Sequence, residues 1–287
     1  MRRAEVAVAV DAEVAPAGVV GEDHHHVRPP RLLRGRRRGE GENGADTKDV
    51  THDTPPVRCE RILSDMKLLV TNDDGIDAEG IAALAEASRM IGEVVVVAPA
   101  GPQSGVSHAV TTGKAVCVDE RGAGRLSVSG TPADCVRVGL LQIVPDARFI
   151  LSGINHGGNL GADVYYSGTV AAVREAVLHG WTGVALSQYK KKRLDFDWPR
   201  TTRWATRVLA DLLARPAALA QANAKVPDPD PEVVFCPLDP HPLPLSYRHE
   251  ETGLVYDGNY HLRDRAPGAD VDACFSGRIA VTELRLL

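Results

Sequence analysis

The sequence predicts an α/β fold built on a doubly wound, mostly parallel sheet, and three observations point to it. From Met66 onward, short apolar runs alternate with Ala- and Leu-rich stretches of helical length. One run, Glu93-Val94-Val95-Val96-Val97-Ala98, is continuously β-branched, as expected of a parallel strand covered on both faces. Polar or glycine-rich loops follow successive strands, and sheets of this class place their sites beyond the carboxyl ends of the strands.

The first element is the buried strand Lys67-Leu68-Leu69-Val70-Thr71, which runs into Asn72-Asp73-Asp74-Gly75. In a regular strand Asp73 and Asp74 would point to opposite faces. They reach one ion only if the strand has already broken into a turn, which Gly75 permits. Two adjacent carboxylates also repel, so at least one pKa should rise unless a cation sits between them. Asp77 is expected to cap a helix from about Glu79 to Met90, closed by Gly92. After the 93–98 strand Pro99 stops the run, and Ala100 to Thr112 forms a long polar loop with Gln103-Ser104-Gly105. Ala115 to Val118 and Arg125 to Ser129 read as short strands.

Thr131 at a cap, Pro132 at the first helical position and Asp134 where a capping box places an acid start a helix that runs to about Ile143. The strand Phe149-Ile150-Leu151-Ser152 opens into the glycine-rich stretch Gly153 to Gly161. Tyr165-Tyr166-Ser167-Gly168 leads into a helix from about Thr169 to His179, then the strand Gly183 to Ser187. Lys190 to Arg193 is a solvated basic run, and Trp198 to Leu213 is a helix with Trp204, Val208, Leu209 and Leu212 on one side. Val226 to Pro231 reads as a linker. Val271 to Phe275 and Arg278 to Thr282, joined by Ser276-Gly277, read as a hairpin. It belongs to a C-terminal arm, about residues 233–287, with little core of its own.

Residues 1–65 are expected to be a disordered extension outside the 66–287 domain, with loop-formers throughout and no sustained apolar period. Its His24-His25-His26 run and the Arg-rich block from Arg31 to Arg38 read as parts of a solvated tail. Deleting it should leave activity and melting temperature intact. Net charge is −5, and no basic stripe interleaves with aromatics, so nothing suggests nucleic-acid binding. Five scattered cysteines without a CxxC pair argue for a reducing compartment and against a thiolate zinc site. No apolar run reaches the roughly 18 residues of a membrane span. A soluble, cytoplasmic protein without a membrane partner is the expectation.

If Asp73, Asp74, Ser104 and Asn155 converge, they offer two carboxylates, a hydroxyl and an amide oxygen. Hard oxygen donors suit Mg²⁺ or Mn²⁺. Beside them the Gly153–Gly161 loop, with Asn155, Gly158 and Asn159, can aim backbone N–H groups at phosphate. Ser167, Gly168 and Thr169 stand at a helix N-terminus that favours an anion. A metal that polarises a phosphoryl oxygen and activates water would make a phosphomonoesterase. Each part alone has a plainer reading as a turn, a cap or a solvent contact; their coincidence at successive strand ends carries the argument. Of the histidines, His156 is a candidate general acid for the leaving group. His108 reads as a pocket-rim contact, and His179 as a cation at a helix C-terminus.

The ordered set Asn72-Asp73-Asp74-Gly75, Ser104-Gly105, Gly130-Thr131-Pro132-Ala133-Asp134-Cys135, Ser152-Gly153-Ile154-Asn155, Gly158-Asn159-Leu160-Gly161 and Tyr166-Ser167-Gly168-Thr169-Val170 resembles the SurE family, the survival-protein metal-dependent 5′/3′-nucleotidases. The late stretch Arg263 to Asp272 is similar to that family too. The resemblance implies a Rossmann-like core and a C-terminal arm exchanged between subunits of a homodimer or homotetramer. It also implies one divalent cation per subunit, held by positions matching Asp73, Asp74, Ser104 and Asn155. Asp73 or Asp74 would orient or deprotonate the attacking water. The substrate would be a nucleoside 5′-monophosphate, with 3′ esters as a further possibility. The loop Ala100-Gly101-Pro102-Gln103 departs from the basic loop expected before Ser104, and Tyr189 to Pro231 matches weakly and bears on the pocket rim. Two alternatives stay open: an aspartyl-phosphate phosphatase of the haloacid-dehalogenase type, which wants Asp-x-Asp rather than adjacent aspartates, and a nucleotide-binding module without catalysis.

Overall fold

The structure is a computed structural model and describes residues 3–11, 66–189, 195–213, 222–226 and 231–285. In chain order the strands and α-helices are β1 (Arg3–Asp11), β2 (Lys67–Thr71), α1 (Glu79–Arg89), β3 (Glu93–Pro99), β4 (Val118–Glu120), β5 (Arg125–Val128), α2 (Pro132–Val138), β6 (Ala147–Asn155), α3 (Gly168–Leu178), β7 (Thr182–Ser187), α4 (Trp198–Leu213), β8 (Ala222–Val226), β9 (Val233–Phe235), β10 (Tyr247–Glu250), β11 (Gly253–Tyr256), α5 (Asp270–Phe275) and β12 (Ile279–Arg285).

The large sheet has the order β4-β5-β3-β2-β6-β7-β1-β8-β12-β9. Its centre is parallel: β2 pairs with β3 and β6, β3 with β5, and β6 with β7, all in parallel. The chain winds outward from β2 through β3 to β5, then returns to the other side of β2 for β6 and β7. The switch point therefore lies between the carboxyl ends of β2 and β6, where such sheets open a crevice. In register, Thr71 faces Ser152 there, one residue before Asn72 on one strand and three before Asn155 on the other.

Both faces of the central strands are covered, as their unbroken apolar character requires. Leu68 and Val70 of β2 pack with Ile81 and Leu84 of α1 and with Trp204, Val208, Leu209 and Leu212 of α4. Leu69, pointing the other way, joins Cys135 and Val136 of α2 and Ala172 and Ala176 of α3. Leu68 and Leu69 are both fully buried, each burial being worth about 1.5–3 kcal/mol relative to exposure. Two helices per face thus clamp β2 and hold its carboxyl end still.

Several local expectations are corrected. Ala78, not Asp77, sits at the α1 cap without a side-chain bond. The exposed Asp77 carboxylate instead faces Arg125 at 3.4 Å, because the tight exit at Gly75 carries the chain past it before helical geometry begins. The helix at Pro132 has the expected capping box between Thr131 and Asp134, but α-geometry ends at Val138 and a π-helical segment, Gly139–Ile143, finishes it. The strand expected at 115–118 forms at Val118–Glu120.

The hairpin expected over 271–282 is not formed there. Asp270–Phe275 is helical, and Ile279–Arg285 joins the large sheet beside β9 and β1. Val271, Cys274 and Phe275 all pack into one apolar cluster. Their i, i+3, i+4 spacing is a helical face that the short run concealed. A C-terminal hairpin does exist, built earlier in the chain from β10 and β11.

Within the segment expected to be an extension, Arg3–Asp11 forms β1, antiparallel to β7 and parallel to β12. Residues 12–65, with the His and Arg runs, lie outside the described residues, as do Lys190 to Arg193 and most of the 226–231 linker. Among the described residues no helix is long and apolar enough to cross a membrane.

Candidate active site

Asn72 breaks β2. Its side-chain amide donates to the Gly75 carbonyl at 2.8 Å, and its Oδ1 accepts the Gly75 N–H at 3.2 Å. Gly75 has φ +101°, and a Cβ there would stand 3.0 Å from the Gly101 carbonyl carbon. The turn requires glycine on both counts. It frees Asp73 and Asp74 from the strand's alternation at the switch point.

Asp73 is buried, at 7% exposure. The Thr169 hydroxyl donates to its Oδ1 at 2.6 Å. Gly168 approaches so closely that a Cβ would lie 2.9 Å from Asp73 Oδ2. The N-terminus of α3, its favourable dipole end included, thus sits directly on this carboxylate. Burial raises the Asp73 pKa to about 6, opposed by the Thr169 bond and assisted by the Asp74 charge. Repulsion between the two aspartates contributes as expected, yet it ranks behind desolvation. Asp74 is only half-buried, and its Oδ2 accepts the His156 backbone N–H at 2.9 Å.

The other two expected donors lie on loops tied to this turn. The Gln103 N–H donates to the Asp73 carbonyl at 2.7 Å, which brings the loop with exposed Ser104 to the acidic pair. The rest of that loop is anchored on α2 and α3: Ser107 donates to the Tyr165 carbonyl, His108 meets Glu175 at 2.7 Å, and Thr111 donates twice to Asp134. Asn155 ends β6, and its Nδ2 donates to the Gly157 carbonyl at 3.1 Å. Gly153, with φ +131°, creates the bulge that aims this end, since a Cβ there would meet the Leu186 carbonyl oxygen at 2.1 Å.

The donor set fits a hard divalent cation. Asp73, Asp74 and Asn155 each have one polar atom fixed by a protein contact, which orients the group and leaves the other carboxylate oxygen of each aspartate and the amide oxygen of Asn155 for a ligand. Among the described residues no three His, Cys, Asp or Glu side chains gather into a metal-binding group. A cation here therefore needs the hydroxyl and amide oxygens as well as the carboxylates, a composition suited to Mg²⁺ or Mn²⁺.

The phosphate candidates divide. Gly168 and Thr169 touch Asp73, whereas the Ser167 side chain caps α3 by accepting the Val170 N–H. Asn159 is turned into the fold, its Nδ2 donating to Ser187 Oγ at 2.7 Å. Gly158 packs beneath Tyr260 and Tyr189. These last two shape the loop from behind.

Sequence reasoning missed the residues that hold the loop. Asp163 accepts from the Leu160 N–H, the Tyr260 hydroxyl at 2.6 Å and Arg263 at 3.1 Å. Asp270, fully buried, accepts the Gly161 N–H and the Asp239 N–H, both at 2.7 Å. The region 239–270 is thereby clamped onto the Gly153–Gly161 loop. Burial pushes the Asp270 pKa up to about 6 against those backbone donors. Glu175 is the second omission: it gathers Arg137, His108 and His179 at 2.6, 2.7 and 2.9 Å. Arg263 and Asp270 fall within the late stretch marked by the resemblance, which assigns them no role, whereas Asp163 and Glu175 carry only the signal of an acid within an otherwise apolar or glycine-rich stretch.

A Rossmann-like sheet whose switch point carries two adjacent aspartates, beside a helix N-terminus and a glycine-rich loop, defines an α/β protein with its polar groups gathered at the carboxyl ends of its central strands. The chain belongs to the SurE family: the family model described as Survival protein SurE matches residues 68–238. A Nostoc sp. protein provisionally named a 5′-nucleotidase is 47% identical over 228 residues, covering 77% of this chain and 100% of the relative. A Geobacter sulfurreducens protein named 5′-nucleotidase SurE is 37% identical, covering 77% of this chain and 88% of the relative. Among solved structures, the SurE protein from Aquifex aeolicus matches with a TM-score of 0.61 at 25% identity, over 75% of this chain and 92% of that one.

Proposed function

We propose that this protein is a 5′-nucleotidase, a phosphoric monoester hydrolase that converts nucleoside 5′-monophosphates to nucleoside and phosphate with one divalent cation per subunit. The observation that carries the reading is the set of three pre-oriented oxygen donors, Asp73, Asp74 and Asn155, at the switch point. The relatives named 5′-nucleotidase support the substrate class. Mg²⁺ or Mn²⁺ would be held by Asp73, Asp74, Ser104 and Asn155, and when bound would polarise the phosphoryl oxygen and acidify a water.

The protein's own groups then divide the work. Asp73, buried and fixed by Thr169, holds its position. Asp74, with solvent access, is placed to orient the attacking water and take its proton. Gly168 and Thr169 present the positive end of α3 to the phosphate, and the Gly157–Gly161 backbone supplies further N–H groups. His156, beside Asp74, is the candidate acid for the leaving oxygen.

The hairpin arm supports self-association: Leu245, Tyr247, Leu254 and Leu262 are 88%, 58%, 60% and 77% exposed. A second copy of the chain would cover them in a homodimer or homotetramer, and the cytoplasm is the proposed location. The test is a panel of 5′- and 3′-monophosphates run with Mg²⁺, Mn²⁺ and chelator. AMP turnover should vanish with chelator, and Asp74→Asn should lower it roughly a thousandfold with the circular dichroism unchanged. Undiminished turnover in that variant rejects the assignment. A trapped phospho-aspartate would favour the covalent route, and AMP binding without turnover a non-catalytic module.

A further inference from the structure

We propose that His108 is a positioning residue for the cation site: by binding the buried Glu175 carboxylate it fastens the loop that carries Ser104 to α3, the helix that also holds Asp73. The inference rests on the reading of Ser104 as a cation donor. Residues 100–112 contain neither helix nor strand, and Ser104 is exposed within them. A loop of this length does not hold a ligating hydroxyl in place unless side chains fix its course. On one side of Ser104 the Gln103 N–H donates to the Asp73 carbonyl at 2.7 Å. On the other side His108 Nε2 lies 2.7 Å from Glu175 Oε2, and the Ser107 hydroxyl donates to the Tyr165 carbonyl at 3.1 Å.

Glu175 is a fixed anchor. Its side chain is 2% exposed, and its other oxygen is held by Arg137 of α2 at 2.6 Å and by His179 at 2.9 Å. The carboxylate therefore does not follow the loop; it dictates where His108 sits. The backbone beside His108 agrees: Ser107 has φ +51°, a left-handed conformation that a non-glycine residue keeps only where surrounding contacts impose it. Glu175 stands about two turns along α3 from Gly168 and Thr169, which touch Asp73. One rigid helix thus sets Asp73 through Thr169 and the Ser104 loop through Glu175. Without His108 the stretch after Ser104 loses its direct tie to that helix, and the hydroxyl is no longer presented at a fixed place relative to Asp73.

The experiment is a double-mutant cycle on the full chain, read by Mn²⁺ titration calorimetry and by the Mn²⁺-induced shift in melting temperature. His108→Ala should weaken Mn²⁺ affinity about tenfold, while kcat for AMP at saturating Mn²⁺ stays within about twofold. His108→Gln, whose amide nitrogen can donate to Glu175 from a similar place, should restore most of the affinity. Ser104→Ala should weaken Mn²⁺ binding too. In that background His108→Ala should cost less than about twofold more, because His108 acts through Ser104. If His108→Ala does not fold, His108→Ala combined with Glu175→Gln removes the stranded charge and carries the same cycle. Additive losses, or wild-type affinity in the His108 variant, overturn the positioning role and leave the nucleotidase reading intact. Unchanged affinity in Ser104→Ala, or no Mn²⁺ binding by the wild type, overturns the cation reading of Ser104 and the role of His108 with it.

Discussion

At the residue scale the site depends on small contacts that fix large groups. Thr169 is the sharpest case, because its hydroxyl sets the orientation of Asp73. Thr169→Val keeps the shape and removes the donor. Metal affinity should fall about 10–100-fold, measured by titrating Mn²⁺ against activity and by the metal-induced shift in melting temperature. Glu175 offers a test through pH. Burial alone would raise its pKa, but bonds from Arg137, His108 and His179, with the Arg137 charge, hold it below the ordinary 4.5. A depressed folded pKa stabilises the protein fully above the unfolded value, and that contribution is lost as pH falls through the folded one. Glu175→Gln should therefore cost on the order of 2 kcal/mol at neutral pH. In urea melts the gap to wild type should narrow as pH drops below about 4; a constant gap would refute the account.

At the element scale, α3 and the C-terminal segment do most to build the site. The α3 N-terminus presses Gly168 against Asp73, and the segment around α5 clamps the glycine-rich loop through Asp163, Arg263 and Asp270. The Arg263 side chain is wholly buried against Asp163 at 3.1 Å. Removing one partner of a buried pair strands the other charge, so Arg263→Ala should destabilise the fold by about 3 kcal/mol or more in urea denaturation. Arg263→Met combined with Asp163→Asn removes both charges and should recover part of that loss. AMP turnover should fall in Arg263→Ala even where the protein remains folded, because the loop loses its backing.

At the scale of the whole molecule, β1 and the arm lie away from the strands that carry the site and bear on the sheet's extent and on self-association. The strands that carry the donors, β2, β3 and β6, do not pair with β1, whose neighbours are β7, β8 and β12. The truncated chain 66–287 should therefore keep AMP hydrolysis. Its melting temperature reports what β1 adds to the sheet, and an unchanged value would mean that β1 adds nothing. Replacing Leu245, Leu254 and Leu262 with serine should shift the protein to a smaller species in sedimentation velocity if the arm joins copies of the chain. An unshifted wild-type monomer would dispose of that assembly.

Much of this was legible in the sequence because it rests on local physics. The unbroken β-branched run at 93–98 requires a strand covered on both faces, and Gly75 requires a turn after β2. Thr131 and Asp134 spell out a cap, and motifs in fixed order place Asp73, Asp74, Ser104 and Asn155 at successive strand ends. Tertiary structure decided the rest. It chose helix over strand at 270–275, because a short apolar run satisfies either period until its neighbours exist. It turned Asn159 inward to Ser187 and made burial, ahead of repulsion, the chief cause of the Asp73 shift. It also joined Asp163 to Arg263 and His156 to Phe196 and Trp198, across sequence separations that no local pattern encodes. Periodicity and turn chemistry act between neighbours along the chain, whereas desolvation and the pairing of distant side chains come into being only when the sheet closes around them.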